Sequence, residues 1–187
     1  GDHPEGVGVS ALAHLIGEYD TVPPDRGIFL PVSWRMHPDI CRFVSEQVYE
    51  SRLISHPTCA QQVIGPREPD GVPVGAGLRR LDVRHAGNRV ESREEVLAIA
   101  GACSELLGVE WTNQNGETRP LEPRDIIVVA PYNRQVDLLN LMLPPGVVAG
   151  TVDRFQGQEA AVVFYSMTAS DALDLSRGVV FLFGLDR

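Results

Sequence analysis

The sequence predicts an α/β fold built on a mainly parallel sheet, and three observations lead there. Short apolar runs of strand length alternate with stretches of helical periodicity along most of the 187 residues. One run, Asp125-Ile126-Ile127-Val128-Val129-Ala130, is continuously apolar, the pattern of a parallel strand buried on both faces. Turns rich in glycine, proline and polar groups punctuate the changes of period.

The elements follow in chain order. Ser10 has the chemistry of an N-cap for a short helix with Leu12, Leu15 and Ile16 on one face, and Gly17 can end it. Val22 to Gly27 is a loop, and Ile28 to Val32 reads as a strand. Pro38 suits a first helical position, where its missing N–H costs nothing. Ile40, Phe43, Val44, Gln47 and Val48 then predict an amphipathic helix over 38–50. Residues 54–76 hold many prolines and glycines and read as a loop or insertion.

Leu78 to Arg84 alternates and predicts a strand. Ser92-Arg93-Glu94-Glu95 reads as a capping box for a helix carrying Val96, Ile99, Ala100, Cys103, Leu106 and Leu107, which Gly108 closes. Residues 109–124 are polar around an Asn115-Gly116 turn signal and fit a loop or small hairpin. After the apolar strand at 125–130, Asn133 can cap a helix with Val136, Leu139 and Met142, stopped by Pro144-Pro145. Val147-Val148 starts a strand, Ala160 to Met167 reads as a further buried strand, and Val179 to Phe183 is an apolar stretch in a less regular tail. The sum is a three-layer sandwich of the RecA or Rossmann kind, in one domain over 1–187.

Composition excludes several classes. No apolar run approaches the roughly 18 residues of a membrane span. Cys41, Cys59 and Cys103 are too few and too scattered for a disulfide framework, and read as reduced thiols of a cytoplasmic protein. No His, Cys, Asp or Glu spacing predicts a metal site, and His37 suits a helix cap better than a ligand. The net charge of −9 argues mildly against a stand-alone nucleic-acid binder, though it allows a local contact strip. All sixteen basic residues are arginine. A phosphate-gripping P-loop needs a lysine, so this chain cannot supply one.

Functional residues of open α/β sheets gather at the carboxyl ends of strands. Three clusters fall there: Ser33 to Pro38, Ala130 to Gln135, and Gly150 to Glu159. Each joins an aromatic residue or a glycine to polar groups at a turn, which suits one shared ligand edge.

These clusters carry a family resemblance. Trp34-Arg35-Met36-His37-Pro38 resembles the YRMHP motif of superfamily 1 helicases, in the branch that contains the nonsense-mediated-decay RNA helicases. The likeness continues through Ile40, Phe43, Ser45, Tyr49 and Leu53. Ala130-Pro131-Tyr132-Asn133-Arg134-Gln135-Val136 is similar to the family's PYxxQ element, and Thr151 to Glu159 to its motif V, TVDxFQGxE. The three stand in the family's order and cover most of the chain. They belong to the second RecA-like domain of the motor, and the likeness is strongest to bacterial proteins in which such a helicase follows a RecB-like nuclease. The family's P-loop, Walker B and motif III lie in a first domain upstream of Gly1, and motif VI would begin just beyond Asp186-Arg187. The resemblance thus implies a fragment cut before that motif.

What the resemblance implies for the residues is specific. Arg35 would be an arginine finger reaching the γ-phosphate; its always-charged fork suits phosphate oxygens, and a cation at a helix N-terminus otherwise opposes the helix dipole. Trp34, where the family has tyrosine, would pack on the base or ribose; a core tryptophan is the alternative. Glu159 would accept from ribose hydroxyls, with Gly157 and Gln158 completing the nucleotide contacts and Gln156 organising the turn. Thr151 and Val152 would meet nucleic-acid phosphates, with Tyr132 and Asn133 adding to the track. Asp153 reads as a cap for the turn. Arg154 is open between phosphate contact and plain solvation. The implied cofactors are ATP and Mg2+, held mainly by the absent first domain, with none expected bound to this fragment. The implied partners are that first domain of the same polypeptide and single-stranded DNA or RNA. The rival reading is a catalytically silent RecA-like or Rossmann-like interaction module.

Overall fold

The computed structural model describes residues 11–19, 21–65 and 75–171. Ser10, the 66–74 part of the proline- and glycine-rich stretch, and the apolar run Val179–Phe183 lie outside the described residues. Contacts divide the chain into two compact units, one of 1–63, 76–78 and 112–117, the other of 64–75, 79–111 and 118–187.

The first unit holds α1 (Ala11–Ile16), β1 (Val32–Ser33), α2 (Pro38–Val48) and β2 (Ile54–Ser55). Gly17, at φ +68°, ends α1 as its backbone freedom suggests. The strand expected over Ile28–Val32 shrinks to Val32–Ser33. Pro31 has no N–H to give a ladder, although its carbonyl accepts from the Ile54 N–H at 2.7 Å. β1 and β2 pair in parallel, Val32 with Ile54 and Ser33 with Ser55. The stretch from 54 is therefore not structureless. After β2 it forms a 3₁₀ turn at Pro57–Gln61 and then β3 (Val63–Ile64).

The second unit holds the main sheet. The strand expected over Leu78–Arg84 does not form; Leu78 and Leu81, three apart, are both exposed. α3 (Arg93–Leu106) follows Ser92 as N-cap, and Gly108, at φ +82°, turns the chain away. β4 (Glu110–Thr112) and β5 (Thr118–Pro120) form the expected hairpin. Arg119 of β5 makes a bidentate pair with Asp125 at 2.6 and 2.7 Å. Burial pushes the Asp125 carboxyl upward, but the Arg119 and Glu122 hydrogen bonds outweigh it and hold the group below its usual range.

β6 (Ile126–Val129), α4 (Asn133–Met142), β7 (Val148–Gly150) and β8 (Val162–Tyr165) complete the unit. The sheet order is β7-β6-β8, all parallel, with β6 in the middle. That position explains why β6 is the continuously apolar run. Its Ile126 and Val128 join Val96, Ile99, Cys103 and Leu106 of α3 and Leu139 of α4 in one core. Burial pushes the Cys103 thiol up to about 12, so it packs as a small apolar group. β8 is shorter than expected and is not buried on both faces, since Val163 and Tyr165 stay exposed at the edge of the sheet. The chain is an α/β protein with parallel sheets, as expected of a RecA-like domain.

Candidate nucleotide and nucleic-acid site

In the first unit, the Trp34–Arg35 turn is pinned by its backbone and open at its side chains. Ser33 Oγ accepts from the N–H groups of Arg35 (3.4 Å) and Met36 (3.3 Å), a hydroxyl folding its own chain into a turn. Gln62 Nε2 donates to the Arg35 carbonyl at 3.0 Å, and Ser55 Oγ donates to the Met36 carbonyl at 2.7 Å. Both Trp34 and Arg35 are exposed. Trp34 is 62% exposed, so the core alternative fails, and its ring stacks on His56 at 3.4 Å between centroids. His37 caps α2, its Nδ1 accepting from the Asp39 N–H at 3.2 Å, with Pro38 at the first helical position.

In the second unit, β7 ends at Gly150 because the following turn folds back onto it. A Cβ there would lie 2.6 Å from Arg154 Cδ and 2.9 Å from the Phe155 ring. Arg154 Nη1 donates to the Ala149 carbonyl at 3.0 Å, so the guanidinium is tied back to β7 rather than merely solvated. Residues Val152–Phe155 form a 3₁₀ turn; Asp153 is exposed within it and does not cap it. Thr151 is half-buried and Val152 exposed. Gln158 also works within the turn, donating from Nε2 to the Arg154 carbonyl at 3.2 Å. Gly157 takes φ +82°, where a side chain would strain the backbone, and an added Cβ would meet nothing within 4 Å. A ligand can thus approach the backbone there. Glu159 is exposed beside it.

The turn after β6 behaves differently. Tyr132 is 6% exposed and packs in the core, which removes its ring from any surface track. It also takes the N-cap position of α4, where its side chain makes no capping hydrogen bond, and Asn133 is the first helical residue rather than the cap. Asn133 is exposed. Gln135 is fully buried. Its Oε1 accepts from the Ser92 N–H at 2.7 Å, and its Nε2 donates to the Ser92 carbonyl (3.2 Å) and Ser166 Oγ (2.9 Å).

Ser92 is therefore only half of the expected capping box. Its Oγ accepts from the Glu95 N–H at 3.3 Å, but the Glu95 side chain turns inward instead of reaching back. Its carboxylate accepts from Ser166 Oγ–H and from the Thr168 N–H at 3.1 and 3.0 Å, and it meets His85 Nε2 at 3.0 Å. His85 Nδ1 continues the chain to Ser170 Oγ at 2.7 Å. Thr168 is buried with φ +69°, a strained value that the Glu95 bonds hold in place.

Sequence reasoning named Glu95 and Gln135 as motif members without foreseeing their buried bonds, and missed His56. A signal existed for the first two: Glu95 lies four residues before Ile99, and Gln135 four before Leu139, so each falls on its helix's apolar stripe. A polar residue on that stripe must find partners inside. Trp34 and Arg35 belong to the first unit; Tyr132, Asn133, Thr151, Val152, Arg154, Gly157, Gln158 and Glu159 belong to the second. Among the described residues, no group of three or more His, Cys, Asp or Glu could hold a metal ion, and no helix is long and apolar enough to cross a membrane.

Comparison with known proteins agrees with this architecture. A family described as an AAA domain matches residues 7–182. The DNA-binding protein SMUBP-2 of Rattus norvegicus is 33% identical over 147 residues, covering 76% of this chain and 15% of that protein. The same protein of Mesocricetus auratus gives the same identity and coverage. Helicase sen1 of Schizosaccharomyces pombe is 28% identical over 158 residues, covering 75% of this chain and 9% of that protein. The chain thus spans a small part of the length of these relatives. It belongs to the AAA-domain family and is a superfamily 1 helicase-like domain.

Proposed function

We propose that this chain is the second RecA-like domain of an ATP-dependent superfamily 1 nucleic-acid helicase, and that its Arg35 is the motor's arginine finger. The observation that carries the reading is the turn at Trp34–Arg35. Three hydrogen-bonding side chains fix its backbone at the start of α2, while the guanidinium stays exposed. A guanidinium on an exposed residue can fork onto the oxygens of an anion brought to it. A triphosphate clamped by another domain is such an anion.

The remaining groups divide by chemistry. Trp34 offers a flat face for a base. Glu159 offers carboxylate oxygens to ribose hydroxyls, beside the open backbone at Gly157 and the Gln158 turn. Thr151, Val152, Asn133 and Arg154 lie on the second unit as phosphate contacts for single-stranded DNA or RNA, an interaction that carries affinity without sequence preference. ATP with Mg2+ would supply the phosphoryl group, with the metal held mainly by the first RecA-like domain. Arg35 would donate to the phosphoryl oxygens where negative charge gathers. The finer placement, in the branch of the nonsense-mediated-decay helicases and in bacterial proteins that join such a helicase to a RecB-like nuclease, belongs to the same reading, as does a cytoplasmic location.

Arg35→Ala in the full-length protein tests it. The expected result is a loss of ATP turnover on the order of 10³-fold or more, with nucleotide binding largely kept. Unchanged turnover would favour the rival, a silent RecA-like module that serves protein interaction. Steady ATP hydrolysis by the isolated chain would also overturn the proposed division of labour.

A further inference from the structure

We propose that His56 is a positioning residue for the nucleotide base, acting through Trp34; the inference rests on the reading of Trp34 as a nucleotide contact. His56 is held independently of the indole. Its Nδ1 lies 2.8 Å from Thr58 Oγ1 and accepts from the Thr58 N–H at 3.4 Å, which caps the 3₁₀ turn that Pro57 begins. Its own N–H donates to the Ser33 carbonyl at 2.8 Å, one residue before Trp34. The imidazole is therefore a fixed plate, and the Trp34 ring lies on it at 3.4 Å and 17°.

The stack has two consequences. An exposed tryptophan samples several staggered rotamers, and the plate selects one of them. One indole face is then covered, while the side chain as a whole remains 62% exposed, so the opposite face is open. A planar base can add to that face and extend a histidine–tryptophan pair into a stack of three rings. The wide indole can cover the imidazole and a purine together, and a purine overlaps it more than a pyrimidine does. Since the ring is already ordered, the nucleotide does not have to immobilise it, a saving of about two- to tenfold in affinity per side chain. His37 caps α2 in the same His-Pro setting, and no ring stacks on it among the described residues, so capping alone does not demand the stack.

The readout is the indole N–H resonance of Trp34 in the ¹⁵N-tryptophan-labelled full-length protein, identified by its loss in Trp34→Phe. ATP and CTP are titrated into the full-length protein with the unaltered chain, with His56→Asn and with His56→Phe. Asparagine keeps a cap acceptor and loses the ring; phenylalanine keeps a ring and loses the acceptor. ATP is expected to move the Trp34 signal at lower concentration than CTP. His56→Asn should weaken the ATP response about two- to tenfold, and His56→Phe should restore most of it. An ATP response in His56→Asn equal to that of the unaltered chain overturns the inference and leaves the reading of Trp34 standing. Equal weakening in both variants also overturns it, because a retained ring then fails to restore the response. A Trp34 signal that ATP never moves in the unaltered chain removes the reading of Trp34, and the inference with it.

Discussion

At the carboxyl end of β6 the chain carries Tyr132 and Gln135 into the interior, where Gln135 bonds Ser92 and Ser166. At the carboxyl end of β7, the adjacent parallel strand, residues 152–159 stay at the surface apart from Phe155. Both turns leave the same edge of one sheet, both carry polar residues, and both match motifs of the same family. One uses its polar groups to close the protein on itself. The other ties its backbone down and leaves Glu159 and the open face of Gly157 outward. A polar group at a strand end is thus not yet a ligand contact; its helical register and burial decide which kind it is.

If the β6 edge is architecture, breaking it should unfold the protein rather than disarm it. The largest expected effect is Glu95→Ala. It leaves the buried Ser166 Oγ–H and Thr168 N–H, and the His85 ring, without their carboxylate partner, and it releases the strained backbone at Thr168. The cost should be on the order of 3 kcal/mol in urea unfolding at neutral pH.

That network also marks where the sequence stopped being legible. The apolar strand at 126–129, the parallel α/β order, the helices at α2 and α3 and the hairpin could be read because apolar spacing and turn residues are local signals. Trp34, Arg35 and the 151–159 turn could be picked out as motifs. The inward turn of Glu95 could not, because Ser92 with Glu95 satisfies the local pattern of a capping box and only tertiary partners, Ser166 and Thr168, outcompete it. Tyr132 was misassigned to the surface for a similar reason: its motif neighbours are exposed, and its own burial depends on the packed core. The Leu78–Arg84 alternation does not become a strand, an outcome that tertiary pairing decides and no local pattern reports.

A smaller effect separates plain structural ion pairs from both turns. Arg119→Ala should lower stability only modestly at neutral pH, since Arg119 is partly exposed and solvent screens it. Arg119 depresses the Asp125 carboxyl in the folded state, so its contribution is present above the ordinary carboxylate range. It is lost as pH falls below about 4. Melting curves of the two proteins should converge in acid.

On the β7 side, Gly157→Ala forces a side chain into a left-handed backbone. It should cost about 1 kcal/mol in thermal unfolding, with no clash to add to it. A much larger loss would mean that the turn is as embedded as its β6 counterpart.

The most direct test of the division between the two turns is to compare Gln135→Ala and Glu159→Ala for thermal stability and for nucleotide affinity in the full-length protein. Gln135→Ala should lower stability by about 1–3 kcal/mol, because it leaves the Ser92 N–H unpaired inside. Glu159→Ala should lose less stability than Gln135→Ala, since Glu159 is exposed, and should bind nucleotide more weakly. The contrary result, a stable Gln135→Ala protein beside a Glu159→Ala protein that unfolds early and binds nucleotide normally when folded, would contradict the assignment of one turn to architecture and the other to the ligand.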